Sequence, residues 1–402
     1  MADSSPARLV APDAEGQRHS NRLSQRLRAH IRCAGGWVGF DRFMQQALYA
    51  TGLGYYQAGL PKFGARGDFI TAPLMGDLTA RCIAGQCAQV LAEIGHGDVL
   101  EFGAGTGRLA ADLLTALERL GVLPGRYFIV ETSADLRARQ RRTLAGLSAP
   151  LRERVRWLER LPQDGFDGVA LATEVLDAMP AVRFEIDARG RALALGVTTE
   201  TGGGDAGQPA LRWATAGPLP ENLQRRIDGA ALGAGYRSEM GLQAEAWVRS
   251  VGERINTGVL LLIDYGFPRR EFYHPQRRDG TLMCHYRHIA HGDPFFYPGL
   301  QDISVHVDFT AIADAARDAA LQLAGFASQG AFLLSLGILD SLAESRQHGA
   351  QEPRRALAMT RELGRLTLPH EMGELFKVIA FTRHYDRPLR GFALKDRRAA
   401  LE

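Results

Sequence analysis

The chain has 402 residues, of which 46% are hydrophobic and 23% are charged, so it can bury the core of one large domain or of two smaller ones. Its net charge is only +3, and the sequence lacks the clustered excess of basic residues that is typical of nucleic-acid binding proteins, so we expect no nucleic-acid partner. The four cysteines form no CxxC pair, which argues against a disulfide framework and favours a reducing compartment.

The sequence also bears on where the protein works. The apolar run at 259–263 is far too short to span a bilayer, so we expect no stable membrane insertion. The first 32 residues are rich in arginine, but Asp3, Asp13 and Glu15 are atypical of a transit peptide. The positive charge is almost entirely arginine, which is typical of a GC-rich bacterial genome. We expect a cytoplasmic bacterial protein, with the mitochondrial matrix as the alternative.

The hydrophobic patterns divide the chain into five segments. They are a disordered segment at 1–20, an N-terminal helical and loop segment at 21–95 that reads as helical at 21–50, a strand–helix core at 96–308 with an inserted hairpin at 181–198, a helical region at 309–365, and a C-terminal strand and tail at 366–402. The strand of the last segment is predicted at 376–382.

Short apolar strands alternate with helices through the core segment. Strands are predicted at 99–102, 127–130 and 168–172, and a glycine turn and a helix at 108–120 follow the first of them. This alternation is typical of a parallel, doubly wound sheet with helices on both faces. The predicted fold class is α/β: a Rossmann-like sheet with an N-terminal helical and loop segment and an added helical region.

The strongest local motif is the glycine turn after the first strand. Gly103, Gly105 and Gly107 let the backbone turn sharply and approach a ligand closely. Glu101 precedes them and would repel the diphosphate of a nicotinamide cofactor, but it suits the cationic amino-acid end of S-adenosylmethionine. Glu131 ends the next strand, where an acid accepts hydrogen bonds from ribose hydroxyls. The alternative is a plain βαβ turn with solvated acids.

Further short motifs follow one another in an order that is typical of one protein family. They lie at 54–56, 67–71, 101–107, 130–131, 174–180, 262–266, 280–287, 293–294, 306–309, 329–330 and 372–376. With these motifs, the chain resembles the MidA-like family of methyltransferases from about residue 40 to 392. It departs from the family's common pattern at 72–74, which are Ala-Pro-Leu instead of Ser-Pro-Glu, and at Thr173, which replaces Asn.

The resemblance implies a class I methyltransferase sheet and S-adenosylmethionine as the cofactor. Mitochondrial members of the family methylate an arginine on a core subunit of respiratory complex I during assembly, which implies a protein partner. The loop that contains Asp68 and Thr71 folds over the cofactor in this interpretation. The alternative for this loop is a structural turn.

Two carboxylates are the candidates for holding a methyl acceptor. Glu174 and Asp177 follow the strand at 168–172, at the edge of the sheet where ligands bind in open α/β folds. Carboxylates can hold a guanidinium bidentately and localise electron density on the attacking nitrogen. The alternative for Asp177 is that it merely caps a short helix. Asp264 and Tyr265 end another strand and could line the same edge, and the alternative is a strand end capped by a turn before Pro268.

A histidine-rich stretch follows near residue 285. His285, His288 and His291 are regularly spaced, but an irregular loop is expected there and no second ligand cluster is evident, so we predict no metal site. We interpret His285, Tyr286 and His306 as candidate substrate-groove residues. Each could instead be a satisfied buried polar residue.

The leading hypothesis is a methyltransferase that modifies arginine on a protein partner. One alternative is methylation of a small molecule or of another side chain. A second is a non-catalytic assembly factor that keeps the fold and binds its partner through residues 309–365. A homodimer is compatible with the sequence.

Overall fold

The computed structural model describes residues 10–59, 75–200, 210–348 and 353–402. The chain divides into two compact units, and each unit combines three segments. The first unit comprises Met1–Ile70, Asp177–Ala244 and Arg270–His306, and the second comprises Thr71–Leu176, Glu245–Arg269 and Val307–Glu402. The predicted core segment at 96–308 is therefore shared between the two units.

Helices and strands are numbered in chain order. The helices are α1 Ala14–Cys33, α2 Phe40–Tyr49, α3 Leu78–Ile94, α4 Arg108–Arg119, α5 Ala134–Leu144, α6 Ala149–Arg152, α7 Glu221–Gln224, α8 Leu242–Gly252, α9 Arg269–Phe272, α10 Phe309–Asp318, α11 Gln329–Ser335, α12 Ile338–His348, α13 Pro353–Thr367 and α14 Met372–Leu375. Short 3₁₀ turns occur at Asp228–Ala230, Arg390–Phe392 and Arg398–Leu401. In the described part of the chain, no helix is long and apolar enough to cross a membrane.

The strands form three sheets. They are β1 Trp37–Gly39, β2 Asp98–Phe102, β3 Tyr127–Val130, β4 Val155–Leu158, β5 Phe166–Thr173, β6 Val182–Ile186, β7 Ala192–Glu200, β8 Ala210–Pro218, β9 Arg237–Met240, β10 Ile255–Phe267, β11 Met283–Tyr286, β12 Ile289–His291, β13 Asp302–Ser304, β14 Val307–Asp308, β15 Gln322–Ser328 and β16 Phe376–Arg383.

The second unit is built on an eight-stranded sheet of order β15-β16-β10-β5-β2-β3-β4, with β14 beside β10. Strands β4, β3, β2, β5 and β10 pair in parallel, and β16 runs antiparallel to β10 and β15. From β2 the chain first builds outward to β3 and β4 and then continues on the other side with β5 and β10. All five residues of β2 are buried, as expected when helices cover both faces. The predicted Rossmann-like α/β fold is confirmed.

The sheet extends beyond the predicted core segment. The late strand predicted at 376–382 is present as β16. Residues 309–365, predicted as helical, also contain the edge strand β15, so that prediction was wrong for this stretch. The strand forms because it pairs with β16 along its length, a long-range interaction that its Ala- and Gly-rich sequence does not reveal. Gly325 permits close packing, because a Cβ there would lie 2.3 Å from the ring of Phe392.

The first unit contains two smaller sheets. Strand order β1-β7-β6-β9, with β8 beside β7, gives a five-stranded sheet, and β12-β11-β13 gives a three-stranded one. The hairpin predicted at 181–198 is present as antiparallel β6 and β7. Residues 21–50, predicted as helical throughout, are interrupted by β1, which pairs with β7. Gly35 and Gly36 cause the break, because both have a positive φ that ends α1.

The N-terminal prediction of disorder at 1–20 was wrong from residue 14 onward. Helix α1 begins at Ala14, and the Asp13 carboxylate caps it by accepting the Gly16 amide at 2.8 Å. Leu23, Leu27 and Ile31 recur on one helix face and are buried. The polar composition of the first turns therefore reflects the exposed face of an amphipathic helix.

Candidate active site

Four strands of the large sheet deliver the candidate residues to one edge. Phe102 of β2 is level with Val130 of β3 and with Ala172 of β5, and Ile263 of β10 is level with Thr173. Since these strands are parallel, the residues that follow them leave the sheet at the same carboxyl edge. The strand order reverses at β2, with β3 and β4 on one side and β5 and β10 on the other, and this switch point makes the edge the expected ligand site of an open α/β sheet.

The glycine turn has the conformation that its sequence predicts. Gly103, Gly105 and Gly107 have φ values of 63°, 51° and 80°, in the left-handed region that favours glycine. A Cβ at Gly103 would lie 2.7 Å from Cγ2 of Val175, and one at Gly107 would lie 3.1 Å from Cα of Gln140. The turn therefore presents bare backbone at the edge of the sheet, which fits close approach of a nucleoside-containing cofactor.

Glu101 lies inside the protein beneath this turn. It is 2% exposed, and its Oε2 accepts a hydrogen bond from the Tyr127 hydroxyl at 2.7 Å. Burial raises the pKa of Glu101 to about 7, although the hydrogen bond from Tyr127 acts in the opposite direction. Such a buried position favours a supporting role under the turn over direct contact with the charged end of a cofactor.

The raised pKa predicts a pH dependence of stability. An unfolded glutamate titrates near pH 4.3, so between about pH 4.5 and about pH 7 the native protein binds more protons at Glu101 than the unfolded chain does. The contribution of Glu101 to the free energy of unfolding is fully present below about pH 4.3. It is lost as the pH rises to about 7, at up to about 1.4 kcal/mol per pH unit.

The variant Glu101→Gln should remove this part of the slope, because it keeps the shape and the acceptor for Tyr127 but cannot titrate. Urea unfolding of both proteins across this pH range measures the difference. Glu362, whose pKa is also raised to about 7, leaves a common residual slope in both proteins. Equal slopes would mean that Glu101 titrates like an exposed carboxyl group.

Glu131 follows β3 and is held by helix α5. Its Oε1 accepts the Ser133 amide at 2.8 Å, and its Oε2 accepts the Gln140 side-chain amide at 3.1 Å. The side chain is 7% exposed, and burial raises its pKa against the effect of these hydrogen bonds. A carboxylate has about four lone-pair positions, so acceptor capacity is left for the hydroxyls of a ribose.

Glu174 has a strained backbone at the end of β5. Its φ is 55°, which is unusual for a residue other than glycine, and its amide donates to the carbonyl of Ile263 at 2.9 Å. The next two amides, of Val175 and Leu176, donate to Oδ2 of Asp264 at 3.1 and 2.9 Å. Strain of this kind persists only where the surroundings fix it, and it is frequent at functional sites.

Asp264 thus differs from its predicted role at a substrate groove. It is completely buried, and its Oδ1 accepts the Tyr265 amide at 2.9 Å. A carboxylate with no exposed surface cannot touch a substrate, so its role is to fix the turn that carries Glu174. The ring of Tyr265 is partly exposed and lies 3.9 Å from the ring of Phe376, centroid to centroid.

Asp177 belongs to the first unit, where it is 7% exposed. Its carbonyl accepts the Val305 amide at 2.9 Å. In the same unit the Tyr56 hydroxyl donates to Asp302 at 2.8 Å. Burial and the charges of Asp302 and Asp177 raise the pKa of Tyr56 well above its usual value. Asp177 and Asp302 therefore both place negative charge near the hydroxyl of Tyr56.

The remaining groove candidates also lie in the first unit. His285 is on β11 level with Asp302 on β13, and burial together with His291 lowers its pKa. Tyr286 is 3% exposed, and the His306 amide donates to the Thr281 hydroxyl at 3.1 Å.

The irregular loop predicted near residue 285 is instead a β-hairpin, because Arg287 and His288 have positive φ and connect β11 to β12. Among the described residues, no group of three or more His, Cys, Asp or Glu side chains could hold a metal ion. Asp68 and Thr71 lie outside the described residues.

Sequence reasoning missed three residues around these candidates. Tyr127 contacts Glu101, Asp302 contacts Tyr56, and Gln140 connects Glu131 to the glycine turn. Only Gln140 carries a sequence signal, because it falls between Leu136 and Leu144 on the apolar face of α5. A polar residue at such a position is buried and needs partners.

The comparisons with known proteins agree with this geometry. A family model described as "Putative S-adenosyl-L-methionine-dependent methyltransferase" matches residues 82–327. A Burkholderia thailandensis protein whose crystal structure contains S-adenosyl-homocysteine is 46% identical, with a TM-score of 0.91 over 97% of this chain and 99% of that one.

Curated animal relatives are more distant. The mitochondrial protein arginine methyltransferase NDUFAF7 homolog of Caenorhabditis elegans is 27% identical over 82% of this chain and 80% of its own length. The protein arginine methyltransferase NDUFAF7 of Danio rerio is 26% identical over 86% and 83%. The family model covers more than half of this chain. The chain therefore belongs to the MidA-like family of S-adenosyl-L-methionine-dependent methyltransferases that its motifs resemble.

Proposed function

We propose that this methyltransferase modifies an arginine side chain of a protein partner. The observation that carries the proposal is the strained Glu174, which Asp264 and β10 fix at the ligand edge of the sheet. A fixed carboxylate at this edge suits a cationic acceptor. The names of the nematode and zebrafish relatives support arginine as that acceptor.

S-adenosylmethionine, when bound, supplies an electrophilic methyl group on its sulfonium. The main chain at Gly103, Gly105 and Gly107 would pack against it, and Glu131 would accept hydrogen bonds from its ribose. The observed left-handed turn and the remaining acceptor capacity of Glu131 fit this ligand. We further propose that Asp68 and Thr71 contribute to cofactor binding, as the family resemblance implies, and that Glu101 supports the turn from below.

The acceptor side needs a guanidinium that is oriented and electron-rich at one nitrogen. Arginine hardly titrates below about pH 12, so it arrives protonated. In our proposal Glu174 holds its N–H groups and favours electron density on the attacking nitrogen, and the acceptor-side role of Asp177 stays a prediction from the sequence. Transfer would exchange one N–H proton for the methyl group. The N–C bond would form as the S–C bond of the sulfonium breaks, neutral S-adenosyl-homocysteine would leave, the proton would pass to Glu174 or to water, and the methylated guanidinium would remain a cation. Tyr265 is proposed to line the path of the substrate in the second unit, and the groove roles of His285, Tyr286 and His306 stay predictions from the sequence.

The partner and the location are also proposals. We propose a respiratory complex I subunit, or a similar protein, as the partner that the family resemblance implies, and residues 309–365 as the region for its binding. Those relatives are named mitochondrial. For this chain we propose the bacterial cytoplasm, on the arginine-rich composition of its sequence. A homodimer stays a prediction.

Radioactive methyl transfer tests the acceptor. The purified enzyme is incubated with labelled S-adenosylmethionine and proteins from a source strain that lacks the enzyme, and the labelled amino acid is identified after hydrolysis. Label in methylarginine, suppressed by excess S-adenosyl-homocysteine, is the expected result. Label in another amino acid or in a small molecule would reject arginine. No label, from an enzyme that binds the cofactor, would favour the non-catalytic assembly factor.

A further inference from the structure

We infer that Gln140 is a positioning residue for the cofactor, which holds Glu131 and the glycine turn in one fixed arrangement. The inference rests on the proposed role of Glu131 at the ribose. Gln140 is completely buried in the middle of α5. Its side-chain nitrogen donates to the carbonyl of Gly105 at 3.2 Å and to Oε2 of Glu131 at 3.1 Å. A single amide group thus connects the two parts of the proposed cofactor site.

The orientation of this amide is determined by Trp157. The indole Nε1–H donates to Oε1 of Gln140 at 3.0 Å. Because an indole N–H can only donate, the amide oxygen of Gln140 must face Trp157, and the NH₂ group must face Gly105 and Glu131. Both of its hydrogens then have acceptors. The Arg141 guanidinium lies over the ring of Trp157, 5.3 Å from its centroid, and packs against the outer side of this arrangement.

Helix α5 fixes both oxygens of Glu131. Its start supplies the Ser133 amide to Oε1, and its middle supplies Gln140 to Oε2. Gly107 lets the helix approach, since a Cβ there would lie 3.1 Å from Cα of Gln140. The carboxylate therefore has a defined rotation, and its remaining lone pairs have a defined direction. Without Gln140, Oε2 of Glu131 would lose this donor, and the carboxylate would be held less firmly toward the ribose.

Loss of the Gln140 amide should cause a ligand-specific loss of affinity. Calorimetry compares S-adenosyl-homocysteine with its 2′-deoxyribose analogue, which lacks one hydroxyl. We expect wild type to prefer the ribose ligand by about tenfold, as for one buried hydrogen bond. Gln140→Leu should weaken binding of the ribose ligand about tenfold more than binding of the deoxy analogue, and any loss shared by both ligands reports the glycine turn, where the Gly105 carbonyl also loses its donor. The preference for the hydroxyl would then disappear.

Two further variants guard against a mere folding defect. Trp157→Phe keeps an aromatic ring but removes the donor that orients the amide, so it should reduce the same preference if Gln140→Leu does not fold. Gln86→Leu is the matched control: Gln86 is equally buried, and its amide accepts from Gly391 and donates to Gln89, away from the site. It should lower the melting temperature and retain the preference.

The outcomes separate this inference from the proposed site. If Gln140→Leu and Trp157→Phe keep the preference, with or without an equal loss for both ligands, Gln140 does not position Glu131 and the inference is wrong. Glu131→Gln tests the site itself, because it should lose the preference through Glu131 directly. If wild type shows no preference and Glu131→Gln binds like wild type, the ribose role of Glu131 fails. A preference lost in Glu131→Gln but kept in Gln140→Leu overturns the inference alone.

Discussion

Glu174→Gln is expected to bind S-adenosyl-homocysteine as wild type does and to transfer methyl groups about 100- to 1000-fold more slowly, the usual effect of removing one preorganised electrostatic group. Glutamine has the shape of glutamate and can adopt the same backbone, whose φ is 55°. Its amide, however, carries no negative charge to hold a guanidinium. Asp264 accepts its hydrogen bonds from the backbone amides of Val175 and Leu176, so the substitution leaves these hydrogen bonds intact.

A control variant at an exposed glutamate shows whether the loss of rate is specific to Glu174. Glu159→Gln removes a charge that pairs with Arg137 at an exposed position, and it should retain full turnover. For each protein, calorimetry measures the affinity for S-adenosyl-homocysteine, and an activity assay measures the initial rate of methyl transfer to the acceptor identified by labelling. Unchanged turnover in Glu174→Gln would remove Glu174 from the catalytic residues. Loss of cofactor binding instead would assign it to the architecture of the edge.

The parts of the fold that follow from local sequence were predictable. Strands near 99–102 and 127–130, and the glycine turn between them, have apolar runs and turn residues that are close together in the chain. Strands β1 and β15 were missed, because each depends on a partner far away in sequence. Long-range pairing overrides the weak preferences of short segments.

The same distinction applies to the candidate site. The glycine turn, Glu131 and Glu174 directly follow predicted strands, so their place at the sheet edge could be predicted. The supporting roles could not, because they depend on which side chains meet after folding. Asp264 also ends a strand, but its side chain turns inward to the amides of Val175 and Leu176. Only the tertiary structure distinguishes an acid that faces a ligand from one that holds a turn.

Gly105→Val is expected to lower the affinity for S-adenosyl-homocysteine by at least about 100-fold, which corresponds to about 2.7 kcal/mol. Gly105 has a φ of 51°, and a β-branched residue in this region costs about 1–2 kcal/mol. The added side chain would also occupy space beside the backbone that the cofactor needs. In addition, a shift of the turn would move the Gly105 carbonyl, which accepts a hydrogen bond from the Gln140 side chain.

Backbone strain and loss of the ligand site can be separated with a second glycine. Gly121 lies after α4, is exposed, has a φ of 71°, and a Cβ there would meet no atom within 4 Å. Gly121→Val therefore introduces similar strain where no ligand is proposed, and both variants should melt at lower temperature. Only Gly105→Val should lose cofactor affinity. If the two variants bind equally well, the turn is a structural βαβ connection, and the cofactor must be held elsewhere on the sheet edge.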